Sequence, residues 1–102
     1  MAVNNIKVVT KTADAAAISG RTRVRSIYFT CTNTASSFSL KNGAAGTAPA
    51  LVTINTPADA GGHVIDVPDN GLLFDKGVYI DVADAEVTSV SLFYEGGAEP
   101  AP

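Results

Sequence analysis

Runs rich in Val, Ile, Thr, Tyr and Phe recur about every 8 to 15 residues along this chain, and clusters of Gly, Pro, Asn and Asp separate them. β-Branched and aromatic side chains suit a pleated, half-buried surface, and the separating residues suit tight reversals. This punctuation restricts the chain to an all-β sandwich or barrel. Strands are predicted near Ile6–Thr12, Thr22–Thr32, Ser36–Lys41, Ala50–Asn55, His63–Val67, Leu72–Phe74, Val78–Val82 and Val87–Tyr94. The fold class that follows is a single-domain antiparallel β-sandwich, jelly-roll-like, with about eight short strands. At 102 residues the chain has the size of one domain. We assign residues 1–95 to the sandwich and residues 96–102 to a flexible C-terminal tail, because Gly96-Gly97-Ala98-Glu99-Pro100-Ala101-Pro102 offers nothing to a core. That tail either frays or orders as an arm on a neighbour.

Successive side chains leave a strand on opposite faces, so alternation predicts which residues meet in the interior. Val78, Ile80 and Val82 share one face of their segment, with Tyr79 and Asp81 on the other. Val90, Leu92 and Tyr94 likewise oppose Ser89, Ser91 and Phe93. The first set of each belongs to the core. In Arg23-Val24-Arg25-Ser26-Ile27-Tyr28-Phe29 the phase shifts, since Val24 alternates with the arginines whereas Ile27 and Phe29 share their parity. A β-bulge at Arg25-Ser26 reconciles the two halves. Asn42-Gly43 and Pro68-Asp69-Asn70-Gly71 carry turn chemistry, and Thr56-Pro57-Ala58-Asp59-Ala60-Gly61-Gly62 reads as a longer, mobile or contact-making connection. Only Ala13-Asp14-Ala15-Ala16-Ala17-Ile18 has helical character, enough for one turn.

Charge is divided unevenly along the chain. Up to Ala50 six basic residues face Asp14 alone, and beyond it Lys76 alone faces nine acids, so a net −3 is the sum of +5 and −8. Strands kept apart by half would give the molecule a dipole that favours head-to-tail contact, whereas interleaved strands would cancel it. Cys31 is the only cysteine, which excludes an internal disulfide and a thiolate metal cage, and its strand context makes it a buried thiol. No run is long and apolar enough for a membrane helix, and the first residues carry no targeting signal. No membrane partner is expected.

The residues offer little chemistry. A hydrolytic triad would need His63, the sole histidine, as its base, yet its place beside a glycine turn suits an ordinary strand-edge residue. Asp81, Asp84 and Glu86 crowd one short connection and invite a weak calcium site or a solvated acidic rim, without the spacing of a helical calcium loop. Gly43-Ala44-Ala45-Gly46-Thr47 lacks the Lys-Ser/Thr ending of a phosphate loop, so neither a catalytic set nor a cofactor site is assigned. Arg21, Arg23 and Arg25 alternate as a basic strip near Tyr28. With a pI near 4.8 opposing general nucleic-acid affinity, that strip fits acidic residues of this chain, of another copy or of a partner.

The segments Gly20–Phe29, Ser39–Gly43, Leu51–Pro57, Val67–Phe74, Gly77–Ile80 and Ser89–Tyr94 together resemble small virion-associated proteins of tailed bacteriophages. The resemblance implies a β-sandwich present in many copies in a particle, decorating or cementing the capsid or built into the neck or tail. It implies contact with the major capsid protein or other virion proteins, homo-oligomer formation, and a place in the virion, foremost on the capsid surface, or otherwise in the cytoplasm of the infected host before assembly. Candidate protein-contact residues are Arg21, Arg23, Arg25, Tyr79 and Phe93. A carbohydrate-binding module for host attachment is the alternative, with Tyr79 and Phe93 as stacking platforms in place of cross-strand or interface packing. A small hydrolase built on His63 is a third reading.

Overall fold

The computed structural model describes residues 6–69 and 71–98. Its strands are β1 (Lys7–Lys11), β2 (Ala15–Cys31), β3 (Ser36–Asn42), β4 (Ala50–Thr56), β5 (Gly61–Asp66), β6 (Leu72–Phe74), β7 (Gly77–Val82) and β8 (Val87–Ala98). All pair antiparallel in one hydrogen-bonded sheet of order β1-β8-β2-β7-β3-β4, with β5 and β6 also on β2. The all-β, single-domain architecture is therefore as expected.

The sheet folds over on itself because β2 serves both layers. Its first part, Ala15–Ser19, pairs with β7, and its last part, Ser26–Cys31, pairs with β5, while β8 follows it from Ser19 to Cys31. One layer is thus β1-β8-β2-β5 and the other is β2-β7-β3-β4, the strand order of a jelly roll with β6 extending the β5 edge. The corner between the layers lies at Gly20, whose φ of 84° is open to glycine at little cost. Strand β8 bends with it through Gly96 and Gly97, at φ of 75° and 54°, and the β2–β8 register shifts between Ser19 and Thr22.

Two expectations are corrected here. Ala15–Ile18 forms strand and not a helical turn, because the ladder to β7 and full burial of Ala17 and Ile18 outweigh alanine's helical preference. Residues 96–98, assigned to the tail, are strand: Gly96 and Ala98 pair with Thr22 and Ser19, so β8 runs to Ala98, and the rest of the assigned tail, residues 99–102, lies outside the described residues.

One face of every layer packs inward. Val24, Ile27, Phe29, Val90, Leu92 and Tyr94 meet Ile18, Phe38, Leu40, Val78 and Ile80, all essentially buried. The Phe29 and Phe38 rings lie 5.4 Å apart across the layers. Each such side chain contributes about 1.5–3 kcal/mol by leaving water, and the alternation at β7 and β8 points the expected residues into this core. The β2–β8 register also shifts between Val24 and Ser26, which places the bulge at Arg25 and lets Val24 and Ile27 both turn inward. Among the reversals, Asp69 and Gly71 take positive φ and the Gly71 N–H donates to the Pro68 carbonyl at 3.2 Å, while Asn70 lies outside the described residues.

The sheet order alternates strands from the two halves of the chain, β1, β2 and β3 being separated by β8 and β7. Arg25 pairs with Glu95 and Lys41 with Asp81, so the sequence asymmetry cancels across strands and gives no half-against-half dipole.

Candidate functional site

The outer face of the β1-β8-β2-β5 layer carries the most apolar surface exposed by neighbouring strands. The ladders fix its rows. Val8, Phe93, Ser26 and Asp66 lie side by side across β1, β8, β2 and β5, and the next row is Thr10, Ser91, Tyr28 and Val64. Val8 is 52% exposed, Val64 61% and Tyr28 37%, with Phe93 half-buried between them. Isolated exposed apolar residues are ordinary, whereas a contiguous group is the kind of surface on which a contact can form.

Hydroxyl groups lie among and beside these residues. Thr10 and Ser91 hydrogen-bond at 2.7 Å, Thr30 and Ser89 at 2.6 Å, and Ser26 donates to Asp66 at 3.2 Å. Their polarity is already satisfied within the sheet, so covering them costs less than covering unpaired hydroxyls. Tyr28 lies flat because β5 has glycine there. A Cβ at Gly62 would sit 2.1 Å from the Tyr28 hydroxyl oxygen, so the bare backbone is the floor on which the ring rests.

Arginines border the face at the corner end. Arg23 pairs in register with Glu95, and the Arg25 guanidinium reaches diagonally to the Glu95 carboxylate, leaving the bulge to aim both arginines outward. Arg21 is exposed beside them, and neither Arg21 nor Arg23 has an ion-pair partner among the described residues. The expected basic strip and Phe93 are thus assembled on one layer. Tyr79 is not part of it: it sits on the outer face of β7, in register with Ala16 and Lys41, and its ring packs at 3.5–3.6 Å from where a Cβ of Gly46 would lie. Tyr79 and Phe93 therefore lie on different layers. Val8, Tyr28 and Val64 were missed from sequence, because each contributes a single outward residue and only the pairing of β1, β8, β2 and β5 brings them together.

The chemically suggestive residues have structural partners. The His63 ring stacks on Phe29 with centroids 5.2 Å apart, and its Nε2 lies 2.9 Å from the Asp59 carbonyl oxygen. The buried Cys31 thiol points at the same carbonyl from 3.4 Å, so both side chains hold the 57–60 connection, which sequence reads as mobile or contact-making. Asp84 accepts from the Ser36 hydroxyl and the Glu86 N–H at 2.8 and 2.9 Å, and Glu86 accepts from Thr32 at 2.6 Å. With Asp81 drawn to Lys41, the three acids are not gathered, and no group of three His, Cys, Asp or Glu suited to a metal is present among the described residues. An open groove of about 580 Å³ runs between the β1–β2 and β7–β8 turns, lined by Ala13, Asp14, Val82, Asp84 and Val87. Asp14 there accepts from the Val82 N–H at 2.8 Å, so its carboxylate too ties turn to strand.

No family model matches the chain, and no curated protein matches it. Among solved structures it is similar to the coat protein of Tobacco streak virus, at 12% identity and a TM-score of 0.39, over 100% of this chain and 93% of that one. A likeness this slight carries no argument about role.

Proposed function

We propose that the chain is a non-enzymatic structural protein of a tailed-phage virion, a decoration or cement protein that binds the outer capsid shell in many copies. The observation that carries this reading is the outer face of β1-β8-β2-β5, where Val8, Phe93, Tyr28 and Val64 are flanked by satisfied hydroxyls and by Arg21 and Arg23. An apolar centre with a polar, partly cationic margin is the anatomy of a protein–protein contact. The filled core beneath it is a rigid support. The sequence resemblance to small virion-associated proteins supports the same reading and supplies the particle as the setting. A neck or tail position uses the same face.

The test is addition of purified protein to capsids lacking it, with bound copies counted at saturation. Wild type is expected to bind with symmetry-related stoichiometry. Val64→Glu, which places a charge at the most exposed point of the face, is expected to abolish binding with the fold intact. Saturable binding unaffected by Val64→Glu would move the contact elsewhere, and failure of wild type to bind any shell, neck or tail would reject the virion role.

A further inference from the structure

We propose that the free edge of β4 pairs antiparallel with β4 of a second copy, around a two-fold axis at Ile54, so that two β2-β7-β3-β4 layers join into one sheet. The inference deepens the reading of the chain as a multi-copy assembly protein and rests on that part of it, not on the identity of the particle.

An edge strand exposes unpaired backbone N–H and C=O groups, and proteins that stay monomeric blunt such edges with charges, proline, β-bulges or short length; the one bulge of β4 is confined to its first end, at Leu51. The edges of this fold differ in that respect. Strand β1 carries a lysine at each end, Lys7 and Lys11. Strand β5 opens with Gly61-Gly62 and closes with Asp66, and β6 has three residues. Strand β4 has seven residues, Ala50-Leu51-Val52-Thr53-Ile54-Asn55-Thr56, with no charge, glycine or proline, and it pairs only with β3 among the described residues. It lies within the seventeen residues between Lys41 and Asp59 that carry no charge at all.

Self-complementarity selects a second copy as the occupant. The β3–β4 register shifts between Leu40 and Lys41, which makes Leu51 the extra residue and leaves Val52–Thr56 as regular strand. Two such stretches related by a two-fold at Ile54 bring Ile54 opposite Ile54 and Val52 opposite Thr56 on the inner face, and Thr53 opposite Asn55 on the outer face. Val52 and Ile54 are half-buried against the core and would gain cover from a strand beyond the edge. No like charges meet, whereas the same operation on β1 would confront lysines.

The experiment is sedimentation equilibrium of the purified chain across concentration, without particles, so that its outcome is separate from that of shell binding. Wild type is expected to show a monomer–dimer equilibrium, and amide exchange at residues 52–56 is expected to slow as dimer forms. Thr53→Lys with Asn55→Lys places ammonium groups across the axis and should weaken the dimer by roughly tenfold or more. Thr53→Glu with Asn55→Glu should do the same, and mixing the two variants should restore a heterodimer. Thermal melts report whether each variant is folded. Wild type that stays monomeric up to its solubility limit, an assembly in which both folded variants associate as wild type does, or exchange in β4 that ignores concentration would each overturn the proposal.

Discussion

Asn42 shows how much one side chain at a strand end can organise. Its Nδ2 donates to the Asp75 carboxylate at 2.6 Å, and its Oδ1 accepts from the Lys76 N–H at 2.9 Å, closing the reversal between β6 and β7. The hydrogen bond from Asn42 is the main cause that holds the Asp75 carboxyl below the ordinary aspartate value; desolvation opposes it, and a backbone hydrogen bond at Asp75, then Lys76 and Arg21, add smaller lowering contributions. A folded value lower than the unfolded one stabilises the fold at pH above the unfolded value and loses that contribution as pH falls through the folded one. NMR titration should therefore find the Asp75 transition moving upward in Asn42→Ala, and the stability gap between the two proteins should narrow on acidification. An Asp75 titration unchanged by the substitution would refute this assignment. Asn42-Gly43 reads in sequence as a turn signal, but the partner that gives Asn42 its role is 33 residues away. Sequence spacing cannot reveal it.

The strands themselves were largely legible. Period-two alternation in β7 and β8 identifies the inward residues because both strands have one buried face. The phase slip at Arg25 announces its bulge. Legibility fails where tertiary pairing overrides local preference, at the alanine-rich start of β2 and the glycine-rich end of β8. The first is held as strand by its ladder to β7, and the second by its pairing with Ser19 and Thr22 at the corner. This predicts unequal sensitivity of the corner glycines. A Cβ at Gly20 meets nothing within 4 Å, so Gly20→Ala should cost only the strain of its positive φ, about 1 kcal/mol. At Gly97 the Cβ would also lie 2.3 Å from Thr22 Oγ1 and 2.5 Å from Ile18 Cγ2, so Gly97→Ala should cost clearly more, about 2–3 kcal/mol. Urea unfolding of the two variants checks the order, and equal losses would contradict it. The candidate site follows the same logic: Arg21, Arg23, Arg25 and Phe93 are visible as local patterns, whereas Val8, Tyr28 and Val64 become one surface only through pairings between distant strands.

Across the whole molecule, the decisive pairings link the two ends of the chain. Strand β8 lies between β1 and β2, and the core draws fully buried apolar side chains from every strand except β4 and β5, which add Val52, Ile54 and Ile65 in part. Loops of many residues must close before these contacts form, so folding should be slow for a domain of this size, in about the millisecond-to-second range typical of non-local β proteins. Stopped-flow refolding tests this, and microsecond folding would imply a nucleus more local than the topology allows. The alternating order also explains why charge written unevenly along the sequence does not polarise the folded layers: neighbours in space come from opposite halves of the chain.

Because β2 spends its 17 residues in both layers, the two halves of the jelly roll are joined by an unbroken backbone as well as by packed side chains. A pull on either layer is passed along that strand to the other as shear across many parallel hydrogen bonds, a geometry that yields all together and not one bond at a time. A domain tied in this way bears load as a single plate.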